Sequence, residues 1–210
     1  KIWSRGVGDL GDDSLALTFT PAIDGDVIYT ASAKGRVMSL NKMSGNVKWS
    51  QNLDKPLTSA VGAGYGLVIV ADHDGGIHAI NSSDGSLRWQ AQASSEVLAA
   101  PATDGNVVII QAVNSRVQAF DAKSGAALWD YSASQSVLSL RGNAAPVIRG
   151  EIVYVAFDNG KAAALDAKTG LLQWEQRFLV PDGRSEFERV IDVQADPVVV
   201  GSNVIVGAYQ

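Results

Sequence analysis

The side chains able to do chemistry are few in this sequence, and their spacing argues against most of what they could do. Across 210 residues there are two histidines, His73 and His78, and no cysteine. The lack of thiols removes disulfides and thiolate metal sites from consideration. His73 and His78 lie around one tight turn and the strand after it, and imidazole pairs do bind transition metals. A metal site needs further ligands, however, and no other part of the pattern supplies one, so both histidines are read as surface residues. A Ser–His–Asp site exists only as an inventory, with no spacing behind it. The acidic stretch Gly8–Asp13 (GDLGDD) has the charge of a cation loop, but neither the alternating ligand positions nor the closing glutamate of a calcium loop. No phosphate-cradling glycine motif occurs. Asn81-Ser82-Ser83 fits a glycosylation acceptor, but it overlaps a turn that recurs elsewhere in the chain, and coincidence explains it. The sequence therefore predicts no catalytic residue, no metal and no cofactor.

What recurs is a phrase ending in tryptophan. It reads NKMSGNVKW at Asn41–Trp49, NSSDGSLRW at Asn81–Trp89, DAKSGAALW at Asp121–Trp129 and DAKTGLLQW at Asp166–Trp174, with Trp3 as the tail of a further copy. Each unit opens at Pro21, Val61, Pro101 or Pro146, and a partial unit opens at Pro197. Opener and tryptophan are 28 residues apart in all four complete units, whereas tryptophan and next opener are 18, 12, 12, 17 and 23 apart. A packed body cannot absorb extra residues; a surface connection can. Within each body a Gly-containing turn precedes a β-branched run such as Val68-Ile69-Val70 or Val107–Ile110, which suits a strand buried on both faces. A second turn (Lys34-Gly35, Asp74-Gly75, Asn114-Ser115, Asn159-Gly160) carries hairpin chemistry. A third strand, the Ser/Thr/Asp-Gly turn and a fourth strand bearing the tryptophan complete the unit.

Four antiparallel strands repeated at this period predict an all-β fold, a β-propeller. Complete blades are expected at about 20–52, 60–92, 100–132 and 145–177, with partial blades at 1–5 and 196–210, in one partial propeller domain spanning 1–210. Trp3, Trp49, Trp89, Trp129 and Trp174 are read as packing residues between neighbouring sheets. Since propellers close into rings, the sequence is read as an arc of a larger ring, and an isolated arc is expected to self-associate through its exposed blade edges. The net charge of −5, with both signs mixed, predicts no nucleic-acid surface. No apolar run reaches membrane-spanning length and no signal-peptide pattern is present; a signal or a lipid anchor in a longer parent is expected upstream of Lys1.

The connections that vary in length are the candidates for function. Successive turns of an antiparallel blade alternate between the two faces of the disc, so all these connections share the face of the second hairpin turn. Ser136–Pro146 reads SVLSLRGNAAP, and Phe178–Pro197 reads FLVPDGRSEFERVIDVQADP. Apolar residues, aromatics and arginine rimmed by charge are the make-up of a protein-binding patch. Val137, Val190 and Ile191 are expected to tuck back onto the blades; Leu138, Leu140 and Arg141 are the candidates for contact.

The phrase Asp166–Trp174 resembles the repeat of pyrroloquinoline-quinone-type propellers. More specifically, VLSLRGNAAPVI (Val137–Ile148), the turn Asp158–Gly160 and SEFERVIDVQADPVVV (Ser185–Val200) resemble the BamB family, the lipoprotein subunit of the bacterial outer-membrane β-barrel assembly machinery. The resemblance covers essentially the whole chain, as about half of an eight-bladed ring. It implies a periplasmic, non-catalytic scaffold on the outer membrane that binds the POTRA domains of the barrel-forming subunit BamA. On that resemblance Leu138, Leu140 and Arg141 are partner-binding, and Asp192 matches the first position of an acidic Asp-x-Asp motif. Gln194 departs from its second position, and Asp196 is the nearest acidic substitute. The lipidated N-terminal cysteine of the family has no counterpart here. A quinone-dependent dehydrogenase on the same blade type is the alternative; it would need calcium ligands and commonly carries a cysteine pair. Direct binding of unfolded outer-membrane proteins by strand addition has no specific residue in its support.

Overall fold

The computed structural model describes residues 3–7, 19–133, 144–180, 193 and 195–208. Among them the chain forms four four-stranded antiparallel sheets and one two-stranded sheet, with no helix. The first blade comprises β1 (Ala22–Asp24), β2 (Val27–Ala31), β3 (Arg36–Asn41) and β4 (Val47–Asn52). The second comprises β5 (Gly62–Gly64), β6 (Leu67–Ala71), β7 (Gly76–Asn81) and β8 (Leu87–Gln92). The third comprises β9 (Ala102–Thr103), β10 (Val107–Gln111), β11 (Arg116–Asp121) and β12 (Ala127–Ser132). The fourth comprises β13 (Val147–Arg149), β14 (Ile152–Phe157), β15 (Lys161–Asp166) and β16 (Leu172–Arg177), followed by the pair β17 (Val198–Val200) and β18 (Asn203–Ile205).

Strand order within each blade follows chain order, and the short first strands of successive blades touch one another at the hub. Gly62 shows how close that approach is: a Cβ there would fall 2.1 Å from the carbonyl oxygen of Pro101. Every residue of β6 and β10 is buried. Their side chains alternate between two neighbours, as the strand period requires. Leu67, Ile69 and Ala71 join Ile77, Ala79 and Trp89 against Val108, Ile110 and Phe120 of the third blade. Val68, Val70 and Ile80 face the other way, onto Tyr29, Val37 and Trp49 of the first. At roughly 1.5–3 kcal/mol for each fully buried aliphatic side chain, these inter-sheet layers are the main source of stability.

Four of the five tryptophans dock on the recurring turn of the next blade. The indole Nε1 of Trp3 donates to Lys42 O at 3.0 Å, Trp49 to Ser82 O at 2.8 Å, Trp89 to Ala122 O at 2.9 Å and Trp129 to Ala167 O at 2.9 Å. The turn's glycine lies flat against the ring. A Cβ on Gly45, Gly85, Gly125 or Gly170 would approach the preceding tryptophan to 2.5, 2.7, 2.6 and 2.6 Å respectively. The same glycines have φ of 70°, 79°, 74° and 72°, a left-handed conformation that a side chain disfavours. Asp121 and Asp166 brace their turns by accepting bonds from the backbone and hydroxyl of Ser124 and Thr169, which hold both carboxyls below the usual carboxylate range. The register of each outer hairpin shifts by one residue beside the tryptophan, which sits opposite Ser39, Ala79, Ala119 or Ala164. The small partner leaves room for the ring, and the bulge turns the outer strand toward the neighbouring blade.

Trp174 departs from the expected packing role. Its ring is tilted against that of Tyr154, with centroids 6.2 Å apart, but it is 39% exposed, and Leu171 and Leu172 are exposed too. No turn among the described residues covers it.

The docking predicts a specific sensitivity. Gly125→Ala combines left-handed strain with a clash against Trp89, and should destabilise by roughly 2–5 kcal/mol. Urea unfolding followed by tryptophan fluorescence measures it; a midpoint equal to that of the native chain would contradict the docking.

Candidate functional site

The connections between blades rise on the face expected for them. Immediately after each outer strand, the chain bonds to the second turn of its own blade: Leu53 N to Gly35 O, Ala93 N to Gly75 O, Ala133 N to Ser115 O and Phe178 N to Gly160 O. Two of these connections are short, and each drops one apolar side chain into the ring. Leu57 and Val97, both four residues before the next opener, are fully buried and bridge to Asp72 and Ala112. Val193 occupies the corresponding position before Pro197 and is 1% exposed. The longest connection is therefore seated by the same plug as the shortest.

Three of the five connections are long (4–20, 130–145 and 175–196), and the roots of the last two meet. Ala144, Ala156 and Val193 form one buried cluster, with Leu179 and Val206 packed against it. Asp196 Oδ1 accepts a hydrogen bond from Ala145 N at 2.6 Å. The descending ends of both connections are thus fixed side by side on the fourth blade. Leu138, Leu140, Arg141, Asp192 and Gln194, the contact candidates, lie outside the described residues; the residues that flank them are held in this cluster. Asp196 is exposed, and one of its oxygens is committed to Ala145. Leu179, part of the apolar content of the expected binding patch, instead turns inward and packs against this cluster. Phe178 and Val180, on either side of it, remain exposed.

His78 corrects the sequence reading. It is buried at 3% exposure instead of lying on the surface, with Nε2 2.9 Å from Asp72 Oδ2 and Nδ1 2.9 Å from Gln90 Nε2. Asp72 Oδ1 also accepts from Asp74 N and Gly76 N, so the trio pins the second turn of its blade. His73 is exposed and lies 3.3 Å from Glu96 Oε1. The two histidines serve different partners, and no group of three His, Asp or Glu among the described residues is arranged to hold a metal.

Polar contacts also tie the third blade to the fourth beneath the long connections. Gln111 Nε2 donates to Ala156 O at 2.9 Å, and Ser115 Oγ donates to Asp158 Oδ1 at 3.4 Å. Tyr131 donates its hydroxyl to Glu175 Oε2 at 3.2 Å, while Lys161 Nζ donates to Glu175 Oε1 at 2.6 Å. The Lys161 contact holds the Glu175 carboxyl below its ordinary value. Burial, then the Glu175 charge, push the Tyr131 hydroxyl up to about 12.

A family model described as outer membrane protein assembly factor BamB matches residues 1–80 and 33–210. The chain is 53% identical to the outer membrane protein assembly factor BamB of Pseudomonas aeruginosa over 210 residues, all of this chain and 55% of that protein. It is 42% identical to the Legionella pneumophila protein of the same name over 67 residues, 31% of this chain and 17% of that one. The crystal structure of BamB from Moraxella catarrhalis superposes with a TM-score of 0.85 at 26% identity, over 93% of this chain and 59% of that chain. The computationally designed protein Ika8 superposes with a TM-score of 0.71 at 18% identity, over 90% of this chain and 54% of that chain, a likeness of fold alone. The chain spans about half the length of the P. aeruginosa relative.

The Glu175 joint has a pH signature. A carboxyl lowered in the folded state contributes stability above its unfolded value and loses it as pH falls through the folded one. Glu175→Gln should therefore unfold at lower urea than the native chain at pH 7, and the gap should narrow as pH drops below about 4. A gap that stays constant with pH would deny the pairing with Lys161.

Proposed function

The chain belongs to the BamB family of outer membrane protein assembly factors, and on that premise we propose that it is a non-catalytic scaffold docking the POTRA domains of BamA through its long inter-blade connections. It acts at the periplasmic face of the outer membrane, held there by the lipid anchor of the full-length protein. Leu138 and Leu140 are the apolar anchors, Arg141 the charged one, and Asp192 meets the partner or orients Arg141. Gln194 in place of a second acid leaves this site with one fewer negative charge.

The observation that carries the reading is the shared root of the two connections. Segments whose tips are to act on one partner must emerge together, and the cluster of Ala144, Val193 and Leu179 makes them do so. A binding surface on two adjacent blades is rigid below and variable above, which suits recognition. The relatives' names support an assembly role and give no support to the dehydrogenase alternative. Trp174, which no turn among the described residues covers, suits the Asp/Asn-to-Gly turn of a further blade; an isolated arc would self-associate through its exposed blade edges.

Truncating one anchor at such an interface costs about 1–4 kcal/mol. Leu138→Ala combined with Arg141→Ala should abolish co-purification with BamA while circular dichroism and tryptophan fluorescence stay native. Capture of BamA by the folded double variant would refute the site.

A further inference from the structure

At the junction of the second and third blades the amide just before the opener, Ala60 N, donates to the backbone carbonyl of Leu98 at 3.0 Å. Ala145 N is the equivalent amide of the fourth blade, and its acceptor is a side chain, Asp196 Oδ1, 51 residues further along the chain at 2.6 Å. A backbone acceptor comes with any sequence; a carboxylate at this place has to be encoded. It bonds the residue that ends one long connection to the residue that ends the next. The buried contacts of Ala144 and Val193 hold the two roots close, but apolar packing is not directional. A short charge-assisted bond is directional and fixes how the two roots are aligned.

We propose that Asp196 is a positioning residue: by accepting the Ala145 amide it aligns the two long connections, and so sets the geometry of the partner-binding surface without touching the partner. This rests on the scaffold reading above. It assigns Asp196 a role different from the direct acidic contact that its place near Asp192 suggests.

The two roles separate by chemistry, because asparagine keeps the acceptor oxygen and loses the charge. The intact protein carrying Asp196→Ala or Asp196→Asn would be compared with native for affinity to the BamA POTRA domains and for hydrogen exchange at the Ala145 amide. Positioning predicts that D196A weakens binding about tenfold, through misalignment of the two roots, and speeds exchange at Ala145. D196N should restore both to within about threefold, since a neutral acceptor still satisfies the amide. D196N binding as weakly as D196A, with Ala145 still protected, would show that the charge itself meets the partner and overturn the proposal. Native exchange at Ala145 in D196A would overturn it as well. The L138A/R141A variant runs alongside. If that variant loses binding and D196A does not, the positioning role alone falls. If both bind as native, the scaffold site falls and the positioning role falls with it.

Discussion

A propeller blade is a sheet with two apolar faces, and neither can be covered from within the blade. That constraint governs this chain. Val68 and Ile69 are adjacent in sequence, yet they belong to different cores, one toward the first blade and one toward the third. Stability is therefore a property of pairs of blades, and the pairing must be held in one register. The tryptophans do this. Trp49, Trp89 and Trp129 each span from the outer strand of their blade to a carbonyl in the next blade's turn, with a glycine pressed on the ring. The indole contributes buried area and one directional bond together, which is why an aromatic with a donor, and not phenylalanine, suits the position.

The same constraint explains where variation is allowed. Lengthening a strand or turn inside the body would move the tryptophan off its carbonyl. Extra residues between outer strand and next opener move nothing, provided the chain comes back to the same plug. Leu57, Val97 and Val193 stand four residues before their openers and are fully buried in connections of 12, 12 and 23 residues. The long connection has thus been inserted upstream of a seat that the short ones already use. Recognition can change there at little cost to the ring.

Much of this was legible from spacing. The constant 28 residues from opener to tryptophan separates body from connection, and β-branched runs between Gly turns give four strands per unit. Less legible was what depends on contacts far apart in sequence. His78 looked like a surface residue because nothing near it announces Gln90, which pairs with it across a strand register. Leu179 read as patch material because its neighbours Phe178 and Val180 are exposed, and alternation along the chain does not tell which of the three turns in. The docking of each indole on the next turn was read only as packing. A carbonyl 33 or 38 residues away carries no signature in sequence. Trp174 shows the limit from the other side: the repeat identifies the residue, but its burial depends on what lies against it.

Binding through connections rooted on two neighbouring blades has a mechanical consequence. If both segments sprang from one hairpin, their relative placement would follow from that hairpin's register. Here it follows from how the fourth blade sits beside the β17–β18 pair, so any tilt between these sheets would move the roots apart. The packing of Ala144, Val193, Leu179 and Val206 about Ala156 opposes such a tilt, and the fourth blade is itself braced against the third by Gln111 and Tyr131. An exposed hydrogen bond such as Ala145 to Asp196 adds little to overall stability, because water competes for both groups. Its leverage is geometric, since it fixes how the two roots are aligned. A surface contact can therefore matter to recognition far more than to folding.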